Sequence, residues 1–209
     1  MKTLPSETSI RNFLAAVASA EETHGAVSAA AVAGGIGISL LAMVAALPKT
    51  RSDSARDRTE LIKAATALSD VQEQLIETIE TESAVKIFAA RNMPQASEAQ
   101  RTERQAAIQL ALRAAADVPL EVMRLCARGL VLGHTVAVHG VRAAAADVQL
   151  AVELLHVAFS GARTNLERKL SSLSDTRYLT SVVDEIARLS EEATAATRAV
   201  ESILRVPPA

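Results

Sequence analysis

Tryptophan is absent, and aromatic residues make up only 2% of a 209-residue chain whose apolar share is 49%. The core must therefore come from alanine and aliphatic side chains, a composition that favours helices lying close together. Cysteine is nearly absent as well. Cys126 stands alone, which excludes an intramolecular disulfide framework and every multi-thiolate zinc or iron–sulfur site, and points to a reducing, cytoplasmic home. No sign of charge dominates: the formal net charge of -2 lacks the concentrated positive field that a nucleic-acid partner requires. The opening "MKTLPSETSIRNF" carries Lys2, Glu7 and Arg11 before any apolar stretch, unlike a secretory signal. No segment reads as a strand, so the glycines form no dinucleotide or phosphate-binding fingerprint.

What is present is helical periodicity. Ile10, Phe13, Leu14 and Val17 recur at helical spacing up to Ala20, with Ser6 or Thr8 as cap. Ala26 to Leu47 then runs for 22 residues without a charge. That length would cross a bilayer, but the run is half Ala, Gly and Ser, carries no interfacial Trp or Tyr, and is expected instead to be a buried central helix. Gly34, Gly35 and Gly37 would let a neighbouring backbone come close there, including one from a second subunit. After "LPKTRSD" an amphipathic helix is expected from Ser54 to Asn92, ended by Pro94. Ser97 with Gln100 forms a capping-box signature for a helix that bends at Pro119 and loosens at Gly129, Gly133 and Gly140. Further helices are expected over Arg142–Leu170 and Thr176–Leu204. The expectation is a single domain over residues 1–209: an all-α bundle of about six helices that self-associates as a homodimer to cover its apolar faces, with no membrane partner.

The segment "FLAAVASAEETHGAVSAAAVAGGIGISLLAMVAAL" resembles the opening of the cyclodeaminase/cyclohydrolase family that acts on one-carbon tetrahydrofolates. In that family a helix ending in Ala-Ser leads into a Pro-Thr-Pro-Gly-Gly-Gly-like loop and then an Ala/Gly-rich helix, whose closing Met-Val-Ala-like segment is here Ala42-Met43-Val44-Ala45. "AADVPLEVMRLC" and "ADVQLAVELLHVAFSGARTNLERKL" are similar to two later helices of the family. The departures are specific. Glu22 and His24 stand where the loop has prolines, Ala26 and Val27 where it has glycines, Ser83-Ala84 where an acidic pair precedes the retained Phe88, and Ala146 where a Ser lies beside Asp147.

The resemblance implies hydrolysis of 5,10-methenyltetrahydrofolate to 10-formyltetrahydrofolate, or cyclodeamination of the formimidoyl derivative, with no cofactor beyond the tetrahydrofolate substrate. The alternative is a catalytically degenerate member that binds folate or acts as a scaffold. Either reaction needs a group that accepts a proton from water and returns one to nitrogen, and Asp147 and His24 are the catalytic candidates. Asp117, two residues before Pro119, is expected instead to satisfy backbone amides near the bend. A folate-type small molecule needs amide-like hydrogen bonds at its pterin and cations at its tail. Thr23 and Gly25, beside the free amides of a helix start, and Arg163, Asn165 and Lys169 on a later helix are the binding candidates. His134, His139 and His156 do not share a helix face with carboxylates, so no metal site is expected.

Overall fold

The computed structural model describes residues 9–19, 25–79 and 83–205. They form seven α-helices: α1 (Ile10–Ala18), α2 (Ala26–Ala46), α3 (Ala55–Ile79), α4 (Ser83–Arg91), α5 (Glu98–His139), α6 (Ala145–Leu170, preceded by a short 3-10 turn at Arg142–Ala144) and α7 (Thr176–Leu204). No strand occurs among the described residues; the only extended pairing is an isolated bridge between Thr50 and Gly140.

Local chemistry sets most of these boundaries. Ser97 Oγ accepts from Gln100 N at 3.2 Å while Gln100 Oε1 accepts from Ser97 N at 3.1 Å, closing the expected capping box. Asp175 Oδ1 takes the amide of Tyr178 at 3.1 Å and starts α7. α1 is capped by Ser9, whose Oγ accepts from Asn12 N at 3.3 Å; Ser6 and Thr8 lie outside the described residues. α2 stops before Pro48, and Arg58 closes it by donating from Nη2 to the carbonyls of Leu47 and Pro48 at 2.7 and 2.6 Å. A cation at the carbonyl end of a helix satisfies orphan acceptors and opposes the dipole.

Of the expected helix Ser54–Asn92, α3 and α4 are the described parts, α3 lying against α2 and α5 and α4 on α5; residues 80–82 between them lie outside the described residues. One expectation is corrected here. Gly129 and Gly133 do not loosen α5, which continues unbroken from Glu98 through Pro119 to His139. A Cβ on Gly129 would lie 2.6 Å from Ile38 Cδ1, and one on Gly133 3.4 Å from Leu41 Cδ1. These glycines admit α2 rather than interrupt the helix.

The same contacts fix the register. Gly34 faces Cys126, Ala158 and Leu75, Gly37 faces Ala151 and Leu155, and Gly161 faces Ala30. Ser39 Oγ accepts from Gln72 Nε2 at 2.7 Å. Thus α3 and α6 run antiparallel to α2, and α5 runs parallel to it. Ile38, Leu41, Val44, Leu68, Met123, Leu130, Leu155 and Leu166 are fully buried in the shared core. Cys126 is buried there too, and burial pushes its thiol up to about 12, as expected for a small hydrophobe.

α2 occupies the middle of the bundle, yet its face bearing Gly35, Ile36, Ser39 and Met43 stays open. Ile36 and Met43 are 50% and 45% exposed, and a Cβ on Gly35 would meet nothing within 4 Å. Leu150 and Val157 of α6 extend this uncovered apolar surface, and α1 buries none of its residues. By length and composition alone, two helices, Ala26–Ala46 and Arg142–Leu170, are long and apolar enough to cross a membrane.

Candidate functional site

α2 begins at Gly25, whose φ of -96° and ψ of -172° any residue can adopt and which has no side chain to cap the helix. Among the described residues no side chain accepts from the amides of Ala26, Val27 and Ser28, which present partial positive charge. A Cβ added at Gly25 would meet nothing within 4 Å. Thr23 and His24 lie outside the described residues.

Across from this helix start is the second half of α6. Ala151, Leu154, Ala158 and Gly161 form the stripe of α6 that meets α2, the last of them at Ala30. Asn165 continues that stripe by one turn, level with the first turn of α2. Its Oδ1 is buried and accepts no hydrogen bond. Such an orphan acceptor costs about 1–3 kcal/mol.

Arg163 and Lys169 share this end of α6 but differ in environment. Arg163 is exposed, donating from Nε to Glu167 Oε1 at 2.8 Å and from Nη1 to Ser190 Oγ at 3.4 Å. Lys169 is half-buried, and burial lowers the pKa of its ammonium. Asp147 is elsewhere. It sits half-buried in the first turn of α6, four residues before the Ala151 that faces Gly37. That puts it level with Leu41, roughly 24 Å along the axis from Gly25 at about 1.5 Å per residue. By this register the start of α2 and Asn165 lie at one end of the chain's bundle, while Asp147 lies towards the opposite end.

A cavity of about 430 Å³ opens between α3 and α5 and is lined by Gln74, Glu77, Thr78, Asp117, Glu121 and Arg124, with Val118. No residue of α2 or α6 lines it. Asp117 does not take the backbone amides expected of it: its Oδ1 accepts from the Tyr178 hydroxyl at 2.6 Å. The Arg113 guanidinium lies 4.4 Å from the centroid of that tyrosine ring. Burial, then the Asp117 bond, raises the phenol above its ordinary pKa. Arg124 forks onto Glu185 at 2.8 Å through both Nε and Nη2 and reaches Glu121 at 3.0 Å. Its Glu185 partner holds it firmly cationic, and Arg124 in turn lowers Glu185. These groups satisfy one another and join α5 to α7.

A buried polar centre that sequence reasoning missed lies at the other end. Asp57 is 7% exposed; its carboxylate accepts from Ser52 N at 2.9 Å, from Ser52 Oγ at 2.5 Å, and meets His139 Nδ1 at 2.8 Å. The Ser52 hydroxyl first, then His139, holds the acid well below the usual carboxylate range. Among the described residues no group of three or more His, Cys, Asp or Glu is placed to hold a metal ion; His134 and His156 are exposed.

Residues 9–188 match the family model described as formiminotransferase-cyclodeaminase. The chain belongs to this family. It is similar to methenyltetrahydrofolate cyclohydrolase of Methylorubrum extorquens, with 27% identity over 186 residues, 88% of this chain and 89% of the relative. It is also similar to formimidoyltransferase-cyclodeaminase of Gallus gallus, with 25% identity over 198 residues, 92% of this chain but 36% of that much longer protein. Formiminotetrahydrofolate cyclodeaminase from Thermotoga maritima shares the fold, with a TM-score of 0.84 at 22% identity over 95% of this chain and 96% of that one. The family match spans the start of α2 and the end of α6, the two segments that the register brings side by side.

Proposed function

We propose that this family member is a one-carbon folate enzyme that hydrolyses 5,10-methenyltetrahydrofolate to 10-formyltetrahydrofolate, with cyclodeamination of the formimidoyl derivative as the related reaction of the same site. The observation that carries the reading is the corner between the start of α2 and the end of α6. There the uncapped amides beside Gly25 face the α6 stripe that ends in the unpartnered Oδ1 of Asn165. A pterin ring offers both donors and acceptors to such a corner, Thr23 and His24 adjoin it in sequence, and Arg163 and Lys169 supply cations for an anionic tail. No cofactor beyond the tetrahydrofolate is assigned a part.

The hydrolysis adds water oxygen to the cationic amidine carbon, transfers one water proton to a base, returns a proton to the departing ring nitrogen as the carbon–nitrogen bond opens, and releases the second water proton as the formyl carbonyl forms, which accounts for the lost positive charge. Asp147 and His24 are assigned these proton transfers. Asp147 reaches the corner only from a second protomer. It shares a helix face with the exposed Leu150 and Val157, next to the open face of α2 where Gly35 admits close approach. A two-fold axis near Gly35 exchanges the two ends of α2 and carries Asp147 of one protomer towards the Gly25 end of its partner. The homodimer would also cover Ile36 and Met43, removing apolar surface that would otherwise suit a membrane. We place the protein in the cytoplasm, where the lone buried Cys126 stays a thiol.

The deciding assay is decay of the methenyl absorbance at neutral pH. Acceleration over buffer alone is expected; folate binding without acceleration would select the scaffold reading, for which Ser83-Ala84 in place of an acidic pair is the supporting feature. Light scattering in detergent-free buffer is expected to give twice the monomer mass, and a protein retained in membranes after a high-salt wash would contradict the dimer.

A further inference from the structure

α1 has no place in the bundle of its own chain. It buries no residue. Ile10, Leu14 and Val17, spaced i, i+4 and i+7 and so aligned along one side of the helix, are all exposed, the first two by 80% and 61%. A helix of nine residues does not persist in water on its own propensity and needs its apolar face packed. α6 presents a stripe of the same spacing in Leu150, Leu154 and Val157. Leu150 and Val157 are 49% and 63% exposed, and Leu154 is half-buried. Each stripe is about 10 Å long at roughly 1.5 Å per residue. The charges around the two are opposite in sign: Arg11 is the one charged residue of α1, whereas α6 from Ala145 to Ala162 carries Asp147 and Glu153 and neither Lys nor Arg. The chain's own fold leaves both stripes open together.

We propose that α1 is an arm that docks on α6 of a second copy of this chain, laying Ile10, Leu14 and Val17 against Leu150, Leu154 and Val157 of the partner subunit. This docking rests on the homodimer put forward above. Position and chemistry select the occupant. α1 enters the chain just before the Gly25 end of α2, and the two-fold axis near Gly35 that carries Asp147 of the partner subunit towards that end carries the start of the partner's α6 with it. Two apolar stripes of equal length leave water together, and Arg11 approaches a surface whose charges are acidic. The α6 stripe also adjoins the open face of α2, so the arm extends one continuous interface. Two-fold symmetry makes the exchange reciprocal, each protomer giving one arm and receiving one.

The test is cross-linking of full-length chains by a short bis-maleimide, beside light scattering of the wild type. The native Cys126 is buried and does not compete with introduced thiols. Leu14→Cys subunits exchanged with Val157→Cys subunits are expected to give a covalent heterodimer, in yield well above Leu14→Cys exchanged with Val183→Cys on the exposed side of α7. A chain carrying both Leu14→Cys and Val157→Cys is expected to link to its partner; a link within one chain would place α1 on its own α6 and overturn the docking. Leu14→Glu, at a position already exposed in the protomer, is expected to raise the dimer dissociation constant by about tenfold or more with helical content unchanged. An unchanged constant overturns the docking, as does wild-type flotation with phosphatidylcholine vesicles that this variant loses, which would assign the stripe to lipid. A dimer by light scattering whose cross-link yield only equals the Val183→Cys control removes the docking and leaves the homodimer standing, whereas a monomer removes both.

Discussion

Asp57 and His139, 82 residues apart along the chain, meet at 2.8 Å and tie the first turn of α3 to the last turn of α5. The pair sits beside the junction where Arg51 N donates to His139 O at 2.8 Å, and the same carboxylate holds Ser52 of the turn that leads into α3. The hydrogen bonds from Ser52 and His139 depress the folded-state pKa of Asp57. Its contribution to stability is therefore complete above the unfolded value of about 3.9 and drains away as pH falls towards the folded one. Urea midpoints measured at pH 7 and pH 3 are expected to drop more for the wild type than for Asp57→Asn, which has lost the titrating group. An equal drop in both would assign the acid sensitivity to other carboxylates.

Gly37 and Gly35 stand two residues apart with opposite surroundings. A Cβ on Gly37 would lie 2.8 Å from the carbonyl oxygen of Ala151, a backbone atom, whereas a Cβ on Gly35 meets nothing. Gly37→Ala is expected to cost about 1–3 kcal/mol, because two helices must move apart. Gly35→Ala meets nothing within its own chain and is expected to be neutral or to stabilise the chain's own fold by up to about 1 kcal/mol through helix propensity, while weakening the proposed homodimer, whose partner helix approaches there. Denaturant unfolding of the two variants side by side checks the register of α2 against α6.

Much of this architecture was legible because its causes are local. The Ser97–Gln100 box, the stop at Pro48 and the span of α7 each follow from residues within one turn of the boundary. The role of Gly129 and Gly133 was not legible: the local cost of glycine shows in sequence, but Ile38 and Leu41, which need the space, lie far away along the chain. The candidate site divides in the same way. Free amides at the start of α2 follow from Gly25 alone, whereas the orphan oxygen of Asn165 and the distance to Asp147 emerge only from the packing of α6.

Asn165 should show a trade between stability and binding. Its buried Oδ1 has no partner in the unliganded protein, so Asn165→Leu removes an unsatisfied acceptor and is expected to stabilise the free protein by about 1–3 kcal/mol. The same variant is expected to bind folate about tenfold more weakly or worse, because the ligand loses that acceptor. A melting temperature that rises together with unchanged affinity would leave Asn165 outside the site.

Gly25 offers the converse case. Its backbone angles suit any residue and its Cβ position is open, so Gly25→Val is expected to leave helical content and thermal stability near those of the wild type. The added isopropyl group nevertheless stands beside the free amides of Ala26 and Val27 and blocks approach to them. Folate binding is expected to fall by about tenfold or more, read by calorimetry, while circular dichroism stays constant. Undiminished binding would reduce this helix start to a simple cap.

The shared site is tested most directly by mixing subunits. Asp147→Asn removes the proton-transferring carboxylate and Gly25→Val blocks the binding corner, so each homodimer is expected to lose turnover by about a hundredfold. If Asp147 acts on the partner's corner, a heterodimer of the two variants carries one site with both defects and one with neither. Statistical exchange makes half the dimers mixed, so the methenyl assay should recover about a quarter of wild-type activity. If both residues served a site within one chain, every site in the mixture would carry one defect and no activity would return. That outcome would also be at odds with the register that sets Asp147 level with Leu41, so recovery on mixing separates a composite site from a misplaced one.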